Sequence, residues 1–171
     1  MISEGVFGAL EKPKTRILIL GPYRSPYSRS LLRDLRECAR RAGYGSASLT
    51  EDVPFRETRQ DETPGEYYLQ KSYHVISNWA QVVLFIFPRI TRRGMDYAGV
   101  ILELVHMLEH ANWLLDTSSV FYEKKDFDRS SLTLAGKVQL SHISQRFFTT
   151  PRNLCKRVLR EMISHQLSLY Q

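Results

Sequence analysis

The stretch GVILELVHMLEH, from Gly99 to His110, sets one carboxylate, Glu103, in a mostly apolar run. At about 100° per residue, Asp96, Gly99, Glu103, His106 and His110 share one side of a helix. Ile101, Leu104, Val105 and Leu108 take the opposite side, where a sheet is expected. By pattern alone, Glu103 belongs to a solvated face. Gly99 gives the alternative. Glycine early in a helix costs about 1 kcal/mol relative to alanine. One turn before Glu103, it would clear the way for a ligand to reach the carboxylate. Glu103 is therefore the candidate catalytic group, a nucleophile, with Asp96 and Gly99 beside it. No metal is expected. Glu103 and His106 match half of a carboxylate-bridged di-iron site, and no second half exists. His106 and His110 lack a third partner in sequence.

GPYRSPYS, Gly21 to Ser28, is the next candidate. Between a strand and a helix, its backbone N–H groups and the helix dipole suit an anion. Gly21 and Pro22 would shape that turn, Arg24 would add charge, and Tyr23 could stack on a base. The plainer reading is a turn with a capped helix. Glu51 and Asp52 end the second predicted strand, where a carboxylate commonly receives ribose hydroxyls. Arg89, Arg92 and Arg93 follow the third predicted strand on a short loop, and suit a phosphate. That loop, too, could simply be solvated.

These residues need elements to position them. TRILIL, Thr15 to Leu20, reads as a buried strand. Ser25 and Pro26 open a helix that Gly43 stops. Arg29, Arg33, Arg36 and Arg40 take its solvated face, opposite Leu31, Leu35, Cys38 and Ala42. SASLTE, Ser46 to Glu51, is a second strand. The polar stretch VPFRETRQDETPGE is long enough to suggest a functional lid. Further elements are a helix over 65–79, the central strand Val82 to Phe87, a helix over 95–112 and a strand over 118–123. Residues 124–150 resist assignment, although 138–143 could be a fifth, edge strand. Thr150 and Pro151 open a final helix over 151–171, lined by Leu154, Val158 and Met162.

Alternating strands and helices predict one α/β domain over residues 1–171, with a loose arm over 1–13. The expected architecture is three-layered and doubly wound. Its mainly parallel sheet of four or five strands is flavodoxin-like or Rossmann-like, in order 2-1-3-4-5. Ligands of such sheets sit beyond the C-terminal strand ends, at the switch point.

The chain has 171 residues, 43% hydrophobic and 25% charged, as in ordinary globular proteins. No apolar run approaches the roughly 18 residues that span a bilayer. The N-terminus lacks signal-peptide character. Cys38 and Cys155 form no framework, so a reduced cytoplasmic protein without a disulfide is expected. The formal charge of +6 allows a nucleotide-like anion or nucleic acid. The absence of aromatics interleaved on a basic stripe argues against nucleic acid.

Gly21-Pro22-Tyr23 resembles the Gly-Pro-aromatic turn of the nucleoside 2-deoxyribosyltransferase family. Ile76-Ser77-Asn78 is similar to that family's helix end before the third strand, and Gly99-x-x-x-Glu103-Leu104 to its Gly-x-x-x-Glu-hydrophobic signature. These patches span roughly residues 15 to 123. The resemblance implies a flavodoxin-like sheet, Glu103 as the nucleophile attacking an anomeric carbon, and Tyr23 and Asn78 at the ligand. The family's acidic residues after the third strand and before the motif glycine are replaced here by Pro88-Arg89 and Tyr97-Ala98. With the loop arginines, this implies a phosphorylated nucleoside or NAD-like ligand, and cleavage or transfer at its N-glycosidic bond. The alternative is a non-catalytic nucleotide sensor or signalling module. No cofactor is called for, and a homo-oligomer remains open.

Overall fold

The structure, a computed structural model, describes residues 12–89, 97–123 and 143–168. Five parallel strands form one sheet: β1 (Ile17–Leu20), β2 (Ser48–Leu49), β3 (Val82–Phe87), β4 (Ser119–Glu123) and β5 (Ser144–Phe148). Their order is β2-β1-β3-β4-β5, as the alternating pattern predicts. Ile17 to Leu20 run beside Val82 to Phe85, and Ser119 to Glu123 beside Ser144 to Phe148.

Among the described residues four α-helices cover the sheet: α1 (Pro26–Arg41), α2 (Pro64–Asn78), α3 (Ala98–His110) and α4 (Pro151–Ser168). Alternate strand residues serve opposite layers. Ile17, Ile19, Leu84 and Phe121 pack with Leu31, Leu35, Leu154 and Val158 of α1 and α4. Leu18, Leu20, Val83 and Phe85 pack with Val75, Ile76, Leu104 and Met107 of α2 and α3. Both faces are buried, hence the unbroken apolar runs. Among the described residues, no helix is long and apolar enough to cross a membrane.

The helix starts follow local chemistry. The Ser28 N–H donates to Ser25 Oγ at 3.0 Å, with Pro26 in the first turn. The Asn153 N–H donates to Thr150 Oγ1 at 3.1 Å. Gly43 takes φ +103, the left-handed stop that glycine permits. Thr63 and Glu66 form a capping box that the sequence reading passed over.

Several expectations are corrected. The second strand ends at Leu49, and Thr50–Asp52 turn into a 3-10 helix because Asp52 accepts the Leu49 N–H at 2.8 Å. The edge strand occupies Ser144–Phe148 rather than 138–143; residues 138–142 lie outside those described. The inner stripe of α3 is Val100, Leu104, Met107 and Leu108, with Ile101 and Val105 only half-buried. Cys38 of α1 and Cys155 of α4 are joined in a disulfide, Cα–Cα 6.2 Å, against the expectation of none. The two helices lie side by side on one face of the sheet, so residues 117 apart in sequence meet.

Candidate functional site

A cavity of about 480 Å³ opens beyond β1 and β2. The β1–α1 turn supplies Gly21, Pro22, Tyr23 and Arg24, and the turn after β2 supplies Thr50 and Glu51. From α1 come Arg29 and Arg33, from α2 Tyr68 and Ser72, and from α3 Gly99 and Glu103. This is the switch point of a doubly wound sheet, where β1 connects to one layer and β3 to the other.

Glu103 leaves the solvated face that its pattern suggested. Burial pushes its carboxyl up to about 7, against a hydrogen bond with Ser72 that favours the charged form. Ser72 Oγ in turn lies 3.4 Å from Thr50 Oγ1. Among the described residues, no arginine or tyrosine hydroxyl holds the carboxylate ionised. Solvent reaches the residue only in part, and it lines the cavity.

The Tyr23 hydroxyl is buried and has no hydrogen-bond partner among the described residues. A buried orphan of this kind needs an explanation, and a ligand acceptor is one. Burial, then the charges of Glu51, Asp52 and Glu103, raise its pKa, while Arg33 opposes them. The phenol therefore stays neutral and able to donate.

The cationic wall differs from the one expected. Arg29 and Arg33 are exposed, as the amphipathic pattern has them, and they also line the cavity. Arg33 Nη2 lies 3.4 Å from Glu51 Oε1. Arg24 and Arg29 have no ion pair among the described residues. The cap at Ser25 occupies the Ser28 N–H, so arginine side chains, more than the helix end itself, supply the positive field.

Asp52 is not part of the site. Arg36 Nη1 donates to it at 2.7 and 2.9 Å, and Arg40 stands 3.8 Å away. Burial would raise its pKa, but the Leu49 N–H and Arg36 hold the carboxyl below its usual range. Asn78 does not reach the cavity either; its Nδ2 donates to His74 O at 3.0 Å, within α2. Arg89 also points elsewhere. Its N–H donates to Glu123 Oε2 at 2.8 Å, its Nε lies 3.8 Å from Oε1, and its guanidinium covers the Tyr27 ring. Glu123, buried at the end of β4, also accepts the Tyr27 hydroxyl at 3.0 Å, and burial with this carboxylate pushes Tyr27 up to about 12. Arg92, Arg93 and Asp96 lie outside the described residues.

No protein-family model matches this sequence, and no curated protein does.

The reading of the residues missed Arg29, Arg33, Thr50, Tyr68 and Ser72. Four of them sit on helix faces or turns whose partner came from a distant element. Only Ser72, a small polar residue on the inner stripe of α2, carried a local signal. The presumed lid, VPFRETRQDETPGE, gives its last three residues to α2, and its Arg56 donates to Glu62 within the loop at 2.9 Å and to Gln70 of α2 at 2.7 Å. Among the described residues, no group of three His, Cys, Asp or Glu is placed to hold a metal.

The two glycines of the site separate by substitution. A Cβ at Gly21 would stand 2.9 Å from Ile86 O and 2.9 Å from Leu32 Cδ2, so Gly21→Ala should cost about 1 to 3 kcal/mol through overpacking. A Cβ at Gly99 meets nothing within 4 Å. Gly99→Ala should hold or raise stability, by at most about 1 kcal/mol, while its methyl enters the cavity and weakens ligand binding. Urea melts and calorimetry check both. Equal destabilisation by the two substitutions would remove the distinction.

Proposed function

We propose that the protein binds a phosphorylated nucleoside in this cavity and cleaves, or transfers at, its N-glycosidic bond with Glu103 as nucleophile. The observation that carries the reading is the meeting of Glu103, the unpartnered Tyr23 hydroxyl, Glu51 and three arginines on one cavity. The volume suits a single nucleotide. Arg24 and Arg29 take the phosphate, Glu51 takes sugar hydroxyls once released from Arg33, and Tyr23 and Tyr68 offer aromatic surface to the base.

In the reaction, the bond from the anomeric carbon to the base nitrogen breaks, and its electron pair leaves with the base. A Glu103 carboxylate oxygen bonds to the anomeric carbon, and water or an acceptor hydroxyl or nitrogen then displaces it. The nucleophile must be ionised, and a carboxyl with pKa about 7 is divided between both forms near neutral pH.

The second reading, a nucleotide sensor without chemistry, draws on the same raised pKa: a carboxyl half-protonated at neutral pH also serves as a hydrogen-bonding ligand for a ribose. Titration of AMP, NAD and adenosine at fixed salt tests the ligand. AMP should bind more tightly than adenosine. Arg24→Gln with Arg29→Gln should remove about tenfold or more of the AMP affinity and little of adenosine's, as expected for charge-assisted hydrogen bonds. Equal affinity for AMP and adenosine would refute the phosphate assignment.

A further inference from the structure

Three of the five arginines of α1 are held in ion pairs. Arg33, Arg36 and Arg40 pair with Glu51, Glu37 and Asp52. On α4 the balance is different. Arg152, Lys156 and Arg160 are exposed and make no hydrogen bond or ion pair among the described residues. They recur every four residues, about 6 Å apart along one helix face. Exposed Arg157 stands beside them. The described part of α4 exposes no acidic residue, because its one glutamate, Glu161, turns to β5. There it accepts Arg146 Nε at 2.6 Å and Ser144 Oγ at 3.0 Å.

We infer that the outer face of α4 is a docking surface for the phosphate backbone of a nucleic acid. The row is uncompensated, so a polyanion gains its full charge without first breaking internal ion pairs. Arginine predominates over lysine, as suits phosphate oxygens. The one-turn repeat presents successive cations to successive phosphates. Among the described large apolar side chains of this helix only Ile163 is strongly exposed, which gives a bilayer little to bury. No aromatic stands on the face; that absence argues against the stacking of bases, as the sequence indicates, and leaves contact to the phosphate backbone, which carries no base preference. The surface is independent of the cavity, and its failure would leave the nucleotide reading untouched.

The test is fluorescence anisotropy of a short mixed-sequence DNA duplex with the full chain, titrated at several salt concentrations. Arg152→Gln, Lys156→Gln and Arg160→Gln together should flatten the slope of log K against log salt by about 2 to 3, since each phosphate contact contributes about 0.9. Changing the two arginines to lysine instead should keep the slope, which separates lost charge from lost fold. No binding to the duplex at low salt, or an unchanged slope in the glutamine variant, would overturn the inference. So would binding to phosphatidylserine vesicles, lost in the glutamine variant, in the absence of duplex binding.

Discussion

Glu103→Gln should abolish base release while leaving AMP binding nearly intact. The amide keeps the shape of the carboxyl and loses its nucleophilic oxygen. Wild-type kcat/KM should rise with pH through about 7, where the carboxyl ionises. A general acid at this position would give the opposite slope. The same residue affects stability. Its folded pKa lies above its unfolded value of 4.5, so the folded state holds the proton more firmly. Below both values the group makes no difference. Stability falls as pH rises between them, and above pH 7 the buried charge costs at most about 3 kcal/mol at 1.36 kcal/mol per unit. Glu103→Gln should therefore melt higher than wild type at pH 8 and match it at pH 4. Scanning calorimetry across pH, beside an assay of base release from a nucleotide panel, reads both. Base release that survives unchanged in the glutamine variant ends the nucleophile role. Binding without turnover in both proteins selects the sensor.

Loss of the Cys38–Cys155 disulfide should be the largest single blow to stability. It closes a loop of sequence separation 117, and chain entropy puts such a closure at about 5 kcal/mol. For a domain of this size that is about 10 to 20 °C in Tm. Cys38→Ser with Cys155→Ser should melt lower by this amount and ignore reductant, whereas wild type should fall to the same level when dithiothreitol is added. A wild-type Tm indifferent to reductant would mean that the thiols are not joined in solution.

The sheet was legible where strands are short, apolar and bounded by turns, as at Ile17–Leu20 and Val82–Phe87. Their alternation with helices sufficed for the strand order, since parallel strands need crossovers. β5 was misplaced because SQRFF mixes polar and aromatic residues without clear alternation. The candidate site was half legible. Gly21, Tyr23, Glu51, Gly99 and Glu103 could be found from turn chemistry, strand ends and one odd glycine. Arg29 and Arg33 could not, because a helix pattern says which residues point outward and not what lies opposite. Asp52 was misjudged for the same reason: its partners Arg36 and Arg40 come from the neighbouring helix. Cys38 and Cys155 gave no spacing to read, since only the packing of α1 against α4 brings them together.

The cystine also divides the chain under mechanical load. Residues between Cys38 and Cys155 form a covalent ring that encloses β2, β3, β4 and β5. Tension applied at the two ends passes across the sulfur bridge and cannot stretch that ring. β1 alone stands outside it, yet it occupies an inner place in the sheet, bonded to β2 on one side and β3 on the other. A pull on the chain ends is therefore resisted by β1 shearing against two ringed neighbours. Reduction would remove the ring and let the force reach the strands one after another.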